Sequence, residues 1–240
     1  MTSKTGLRNS APTRLAGSPR KHHWGRRILT GIVVLVVLVV GIVMYVMSRP
    51  SQAALALPRS AASAPAGPLD GTWNVTAGSA AGFRLSETAF GVSKDVVGRT
   101  SAVTGTIVIS GGQVTRATLR TDLTTIRFGK KPQPQFGKSL GTGQNPDATF
   151  TLGKPVTLSP AFASGKTITV TANGQLAMHG ISRPATFTIT GRRDGSALQV
   201  AGTIPVTLAG WSIKAPANYG PIASLANHGT AEFLLILHQK

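Results

Sequence analysis

Residues 185–200 read ATFTITGRRDGSALQV. From Ala185 to Thr190, apolar residues alternate with threonine, and this period of two is typical of a half-buried β-strand. Asp194-Gly195 is a turn signal of β-hairpins, and Leu198-Gln199-Val200 supplies the returning strand. The stretch therefore predicts two antiparallel strands that share one apolar face.

The same pattern extends in both directions from this hairpin. Thr167–Thr171 places Ile168 and Val170 on one face and three threonines on the other. Further strands are predicted at Thr104–Ile109, Val114–Leu123, Ala148–Leu152, Thr203–Leu208 and Ala231–His238. The spacing leaves no room for crossover helices, so residues 70–240 are expected to form an antiparallel all-β domain. About eight such strands either stack as a sandwich or close as a barrel, and composition does not decide between the two.

An uncharged apolar run, ILTGIVVLVVLVVGIVMYVM, occupies residues 28–47. As a helix, twenty residues at about 1.5 Å each span the roughly 30 Å hydrocarbon core of a bilayer. The run therefore predicts one N-terminal transmembrane helix. The preceding tail, residues 1–27, has no acidic residue and carries Lys4, Arg8, Arg14, Arg20, Lys21, Arg26 and Arg27. Such a tail favours a cytoplasmic N-terminus and an extracytoplasmic domain, anchored to the cell membrane by a single pass.

A cleaved signal peptide is the alternative, because Ala54-Leu55-Ala56 has the small-x-small form of a cleavage site. Against it, the apolar run is longer than a usual signal core. Residues 48–69 are rich in Ala, Pro and Ser, which is typical of a semi-extended linker with little to bury. The predicted order is therefore tail 1–27, helix 28–47, linker 48–69 and β domain 70–240.

Composition excludes several classes of function. The chain has no Cys, which removes disulfide frameworks, thiolate metal sites and thiol catalysis. The net charge of +18 invites a nucleic-acid interpretation. Aromatic residues make up only 5% of the chain, and they fall on the apolar phase of the strands, where they would pack in a core. No nucleic-acid partner is predicted.

Candidate catalytic and metal motifs have simpler explanations. Residues 137–141, GKSLG, match the G-x-S-x-G of a nucleophile elbow but lack a preceding strand and a following helix. The histidines are scattered, and no carboxylate completes a zinc set. We therefore predict a protein that is not an enzyme, with no catalytic residues, no metal and no cofactor. An enzyme would need a polar cluster assembled from residues that are distant in sequence.

Two strings resemble a known family. Residues 145–150, NPDATF, resemble the P-x-A-T-F stretch of the bacterial YceI-like proteins, and residues 174–184, GQLAMHGISRP, are similar to that family's G-x-L-x-x-x-G-x-x-R/K-P segment. Trp73 with Phe83 resembles its opening strand pair, and Val97-Gly98 through Gly105 resembles its second. The pieces keep the family's order over residues 71–238. The stretch from Phe128 to Ser139 departs from the family pattern, so contacts that the family makes there are not carried over.

The resemblance implies an antiparallel, eight-stranded, lipocalin-like barrel that binds an isoprenoid or other apolar lipid in its cavity. If the barrel is closed, its inward phase should include bulky apolar side chains that line the cavity. These are Phe83, Leu119, Phe150, Leu176, Phe187, Ile189 and Val206, with Leu235 as a further candidate.

The basic residues that follow the apolar run mostly flank turns or lie on the outward strand face. They include Arg116, Arg120, Lys130, Lys131, Arg192 and Arg193. A solvated surface explains them, and attraction to an anionic lipid headgroup is the functional alternative. Lys130, Lys131 and Lys138, in a Pro/Gly-rich stretch, are the candidates for contact with a headgroup.

The sequence thus predicts a membrane-anchored lipid-binding protein that carries, stores or senses an apolar chain. A non-enzymatic cell-surface interaction module remains the alternative, in which side chains fill the barrel and its loops meet a partner.

Overall fold

The computed structural model describes residues 24–48, 51–61, 63–89, 91–128, 134–215 and 223–240. Two compact units make up the chain, Met1–Arg49 and Pro50–Lys240. The described part of the first unit contains helix α1 (Trp24–Met47), which covers the run predicted to be helical. Among the described residues, no helix combines the length and the apolar character needed to cross a membrane.

The second unit is built almost entirely of β-strands. They are β1 (Gly71–Val75), β2 (Ala80–Ala89), β3 (Val92–Thr100), β4 (Val103–Ser110), β5 (Gln113–Asp122), β6 (Arg127–Phe128), β7 (Asp147–Leu152), β8 (Val156–Thr157), β9 (Ile168–Met178), β10 (Ile181–Asp194), β11 (Ala197–Thr207) and β12 (Ala223–Gln239). Its helices are α2 (Pro134–Ser139) and α3 (Pro160–Ala163). Each alternating stretch predicted from the sequence lies within a strand or extends beyond it by one residue, and the prediction of an all-β domain is confirmed.

The strands close into an antiparallel barrel of eight strands in the described residues. Neighbours around the ring are β1, β4, β5, β7, β9, β10, β11 and β12, and β12 pairs back with β1. In this closing pair, Trp73 lies opposite Gln239 and Val75 opposite Leu237. The structure thus decides in favour of the barrel, because a sandwich would leave two sheets with free edges.

Two of the barrel strands bend instead of running straight. After β1 the chain turns into β2, which pairs with the earlier part of β12. Strand β3 pairs with β2, and the following strand β4 pairs with β1. A register shift between Leu225 and Gly229 accompanies the pairing of β12 with β2. The long strand β12, of 17 residues, therefore pairs with both β1 and β2 along its length.

One end of the barrel is filled by a packed cluster. Trp73, Ile109, Leu198, Leu235 and Leu237 are each at most 2% exposed. Phe162 of α3 packs into the same cluster. The Trp73 indole Nε1 donates to the carbonyl oxygen of Leu69 over 3.0 Å, so the chain that enters β1 also covers this end. We call it the closed end.

The closing pair gives a direct test of this architecture. Leu237 is fully buried in the closed end, whereas the next residue, His238, is exposed. Leu237→Ala is expected to lower the free energy of unfolding by about 2–5 kcal/mol, because it leaves a cavity in packed surroundings. His238→Ala should change it by about 0.5 kcal/mol or less. Urea denaturation of both variants measures the difference, and equal stabilities would contradict the closed ring.

Candidate functional site

The barrel encloses a cavity of about 230 Å³. A buried water needs only about 10–15 Å³ of such space, so the lumen is far from filled. The cavity wall is almost entirely apolar side chains. Because water gains little on such a surface, an apolar ligand is the chemistry that this space fits.

The structure places all the sequence-predicted cavity residues on this wall. Phe83, Leu119, Phe150, Leu176, Phe187, Ile189, Val206 and Leu235 all line the cavity. The Phe150 and Phe187 rings meet edge to face, with centroids 5.2 Å apart, and Phe187 meets Phe233 at 6.0 Å. That these residues contact a lipid stays a prediction.

Beyond the closed end, the cavity reaches a second set of residues at the opposite end of the barrel. Helix α2 contributes Phe136 and Ser139, and the connection after β11 contributes Ile213 and Lys214. Lys214 is exposed and yet lines the cavity, so the cavity meets the surface here. We call this end the mouth.

Three phenylalanine rings form one side of the mouth. Phe128 and Phe136 stack with centroids 4.1 Å apart, and Phe83 meets Phe128 edge to face at 5.5 Å. Gly98 makes room for this cluster, since a Cβ at that position would lie 2.9 Å from the Phe83 ring. The aromatic side of the mouth therefore depends on the absence of a side chain at Gly98.

Of the three lysines predicted to contact a headgroup, the structure describes one. Lys138 is described, lies in the last turn of α2 and is exposed, next to the cavity residue Ser139. Lys130 and Lys131 lie outside the described residues. Lys214 was missed by the sequence analysis, because nothing in the residues around it signals that a loop after β11 reaches the cavity.

One interpretation of the basic residues is wrong. Arg192 and Arg193 were assigned to the solvated surface, but they are only 8% and 5% exposed. Both donate hydrogen bonds to carbonyl oxygens of the segment that precedes the barrel. That segment is extended, as expected for the linker, but it is bonded to the barrel and not free.

Titratable groups elsewhere in the described residues serve local structure. No group of three or more His, Cys, Asp or Glu side chains is placed to hold a metal ion among them. The Thr124 hydroxyl and amide lower the pKa of Asp122, which caps the short 3-10 turn that follows β5. Asp122 is therefore part of a turn, and it is not a cavity residue.

The geometry defines a class of protein, the lipocalin-like β-barrels that enclose an apolar cavity. The chain belongs to the YceI-like family, since the model of the YceI-like domain matches residues 73–232. The two strings that carried the resemblance lie on neighbouring strands, with residues 145–150 leading into β7 and residues 174–184 forming the β9–β10 hairpin. His179 and Gly180 make the two-residue turn of that hairpin, with φ angles of 53° and 73°. A glycine suits the second of these positions, because both φ angles are positive.

Solved structures share the fold. A polyisoprenoid binding domain from Saccharophagus degradans implicated in plant cell wall breakdown aligns with a TM-score of 0.55 and 17% identity, covering 70% of this chain and 98% of that one. BcnA of Burkholderia cenocepacia aligns with a TM-score of 0.48 and 13% identity, covering 64% and 95%. A comparison with curated proteins gave no match.

Proposed function

We propose that the barrel binds an apolar chain of isoprenoid type in its cavity and carries, stores or senses it without making or breaking a bond. The observation that carries the proposal is the vacant, apolar lumen of about 230 Å³. Burying an apolar chain there gains about 0.8 kcal/mol per methylene, so a few isoprene units bind without polar contacts. The polyisoprenoid binding domain with the same fold supports this class of ligand.

The alternative of an interaction module depends on a barrel that its own side chains fill. A lumen plugged by side chains would favour that alternative, and the cavity of about 230 Å³ supports lipid binding instead. Partner proteins that meet the loops remain compatible with a lipid-binding barrel. Lipid binding is therefore the function that the geometry favours.

In this proposal, the N-terminal segment holds the protein at the cell membrane, with the barrel on the extracytoplasmic side. The supports are the uncharged run at 28–47 and the seven basic residues that precede it. An anchor would keep the barrel close to the bilayer from which its ligand comes, and this raises the effective concentration of that ligand.

Lipid binding is tested by narrowing the lumen with a single substitution. Val170 lines the cavity, and its neighbour on β9, Thr171, is exposed. Val170→Trp is expected to weaken the binding of geranylgeraniol at least about tenfold, because the indole takes up ligand space. Displacement of a fluorescent apolar dye by geranylgeraniol measures the affinity.

Thr171→Trp is the matched control, since it adds the same side chain to the same strand on the outside of the barrel. Its affinity should equal that of the unsubstituted chain. Thermal denaturation checks that both variants fold. Equal binding by the folded Val170→Trp variant would refute the lumen as the lipid site.

The headgroup interpretation makes a separate prediction about charge at the mouth. Lys214→Glu combined with Lys138→Glu should weaken the binding of geranylgeranyl phosphate about tenfold, because a cation that faces the phosphate is replaced by an anion. The affinity for uncharged geranylgeraniol should stay within about twofold, since its chain makes apolar contacts only. Lys154→Glu combined with Lys166→Glu is the control, because neither of these lysines lines the cavity. An equal loss for both ligands would contradict a headgroup role.

The anchor is tested by alkaline carbonate extraction of membranes from cells that make the full chain. We expect the protein in the pellet, and Val36→Arg with Leu38→Arg should move it to the supernatant. Two central arginines cost about 5–7 kcal/mol on insertion scales, which offsets most of the apolar gain of the run. The conservative pair Val36→Leu with Leu38→Val is the control. Release of the unsubstituted chain by carbonate would exclude a spanning anchor.

A further inference from the structure

The segment that precedes β1 crosses the outer wall of the barrel as an extended strap. We define the strap as its described residues from Gln52 to Pro68, and the track as the charged side chains that bind it. The track consists of Arg84 on β2, Arg99 on β3, Glu232 on β12, and Arg192, Arg193 and Asp194 on β10. Ring order brings these strands together, because β10, β11, β12, β2 and β3 are consecutive neighbours.

The first half of the strap lies over β2, β3 and β12. Arg84 Nη2 donates to the Gln52 carbonyl oxygen over 2.7 Å, and an Arg99 amino group donates to the Ala53 carbonyl oxygen. The Leu55 amide donates to Glu232 Oε2 over 3.3 Å. Each of these bonds uses a main-chain atom of the strap.

The second half of the strap lies on β10. Arg192 donates to the Pro58 carbonyl oxygen, and the amides of Ala61 and Ser63 donate to the Asp194 carboxylate over 2.8 and 3.2 Å. The bond from the Ala61 amide is the main cause that lowers the pKa of Asp194, so the strap favours the ionised form of this carboxylate. Beyond it, Arg193 donates to the Gly67 carbonyl oxygen over 2.6 Å.

Four charges of the track, on Glu232, Arg192, Arg193 and Asp194, are buried, and those of Arg84 and Arg99 are partly exposed. Glu232 is 2% exposed, and its carboxylate accepts from the Arg99 side chain and from the Leu55 amide of the strap, so its carboxylate lies on the outer side of β12. Arg99 Nη2 holds one of its oxygens at 2.6 Å, and Arg84 Nη2 stands 3.6 Å from the other. Buried charges are costly unless they are paired and hydrogen-bonded, and the strap supplies further partners to Glu232, Arg192 and Arg193.

Recognition by the track depends on the strap's backbone. Apart from the Ser60 hydroxyl, which donates to Asp194 over 3.3 Å, the bonds from the track described above go to carbonyl oxygens and amides. Four arginines offer donors and two carboxylates offer acceptors along one line, which is the pattern that an extended main chain presents. A segment rich in Ala, Pro and Ser, whose one charged residue, Arg59, is exposed, fits because the bonds are made to its main chain.

We propose that the track is a peptide-binding site on the outer wall of the barrel, and that residues 52–61 and Ser63 of the strap are its resident, releasable ligand. The site takes an extended main chain on the outside of the barrel, whereas the proposed lipid site lies inside it. The strap then sets whether the track is covered or open.

Proline substitutions test the main-chain bonds one atom at a time. Leu55→Pro with Ala61→Pro removes the two amide donors to Glu232 and Asp194 and keeps the segment extended. Hydrogen exchange of strap amides in the full chain, read by mass spectrometry, should speed up at least about tenfold, since each lost bond is to a charged group. The exchange of the barrel amides should stay unchanged.

The matched control is Ala56→Pro with Ala64→Pro. These two amides make no hydrogen bond that is seen within the described chain, so strap exchange should stay within about twofold of the unsubstituted protein. If both proline pairs raise the exchange equally, or if neither does, recognition through the named amides is refuted.

A binding measurement then tests the track as a site. A fluorescein-labelled synthetic peptide of residues 50–64 should bind the folded Leu55→Pro/Ala61→Pro variant, whose track is released, and should bind the unsubstituted chain at least about tenfold more weakly, because the strap competes in the same molecule. The same peptide with proline at both positions is the control and should not bind. Equal anisotropy of the two peptides on the released variant would overturn the proposal.

Discussion

Closure of the barrel is the constraint on which the rest of the structure depends. When β12 pairs with β1, with Val75 opposite Leu237, the last free edge of the ring is removed and one face of every strand is turned away from water. A ring of eight strands has an interior just wide enough for side chains or one small ligand. At the closed end side chains fill this width, and along the rest of the lumen they leave a vacant cavity.

The closed end is filled and the rest of the lumen is not, because the strands supply side chains of different size at the two heights of the barrel. Trp73, Phe162 and Leu237 meet at the closed end, where chain segments also lie across the opening. Higher up, small residues such as Ala172 and Ala231 share the wall with the phenylalanine rings. These small side chains leave space that bulkier ones would fill. The wall is still apolar, so it offers water few hydrogen bonds.

The alternation of apolar residues and threonine made the strands and their inward faces predictable from the sequence. The phase of the threonines in β9 and β10 indicated which residues face inward, and Val170, Phe187 and Ile189 do line the cavity. The sandwich and the barrel could not be separated in this way, because both bury one face and only strand pairing tells them apart. The strap escaped prediction for a related reason. It is bound through its main chain, so its own side chains carry no signal, and the burial of Arg192 and Arg193 follows only once it is in place.

The same strands form both walls of the barrel: the inner wall lines the cavity, and the outer wall binds the strap. On β12, Ala231 and Phe233 add apolar side chains to the cavity wall, and the carboxylate of Glu232 between them accepts from the Leu55 amide of the strap. Because the side-chain period of a strand is two, a slip of one residue in the pairing of β12 would turn Glu232 into the apolar lumen and Phe233 out toward the strap. A buried unpaired charge and a lost aromatic contact would result at once. The two surfaces therefore reinforce a single register, and each one stabilises the barrel geometry that the other requires.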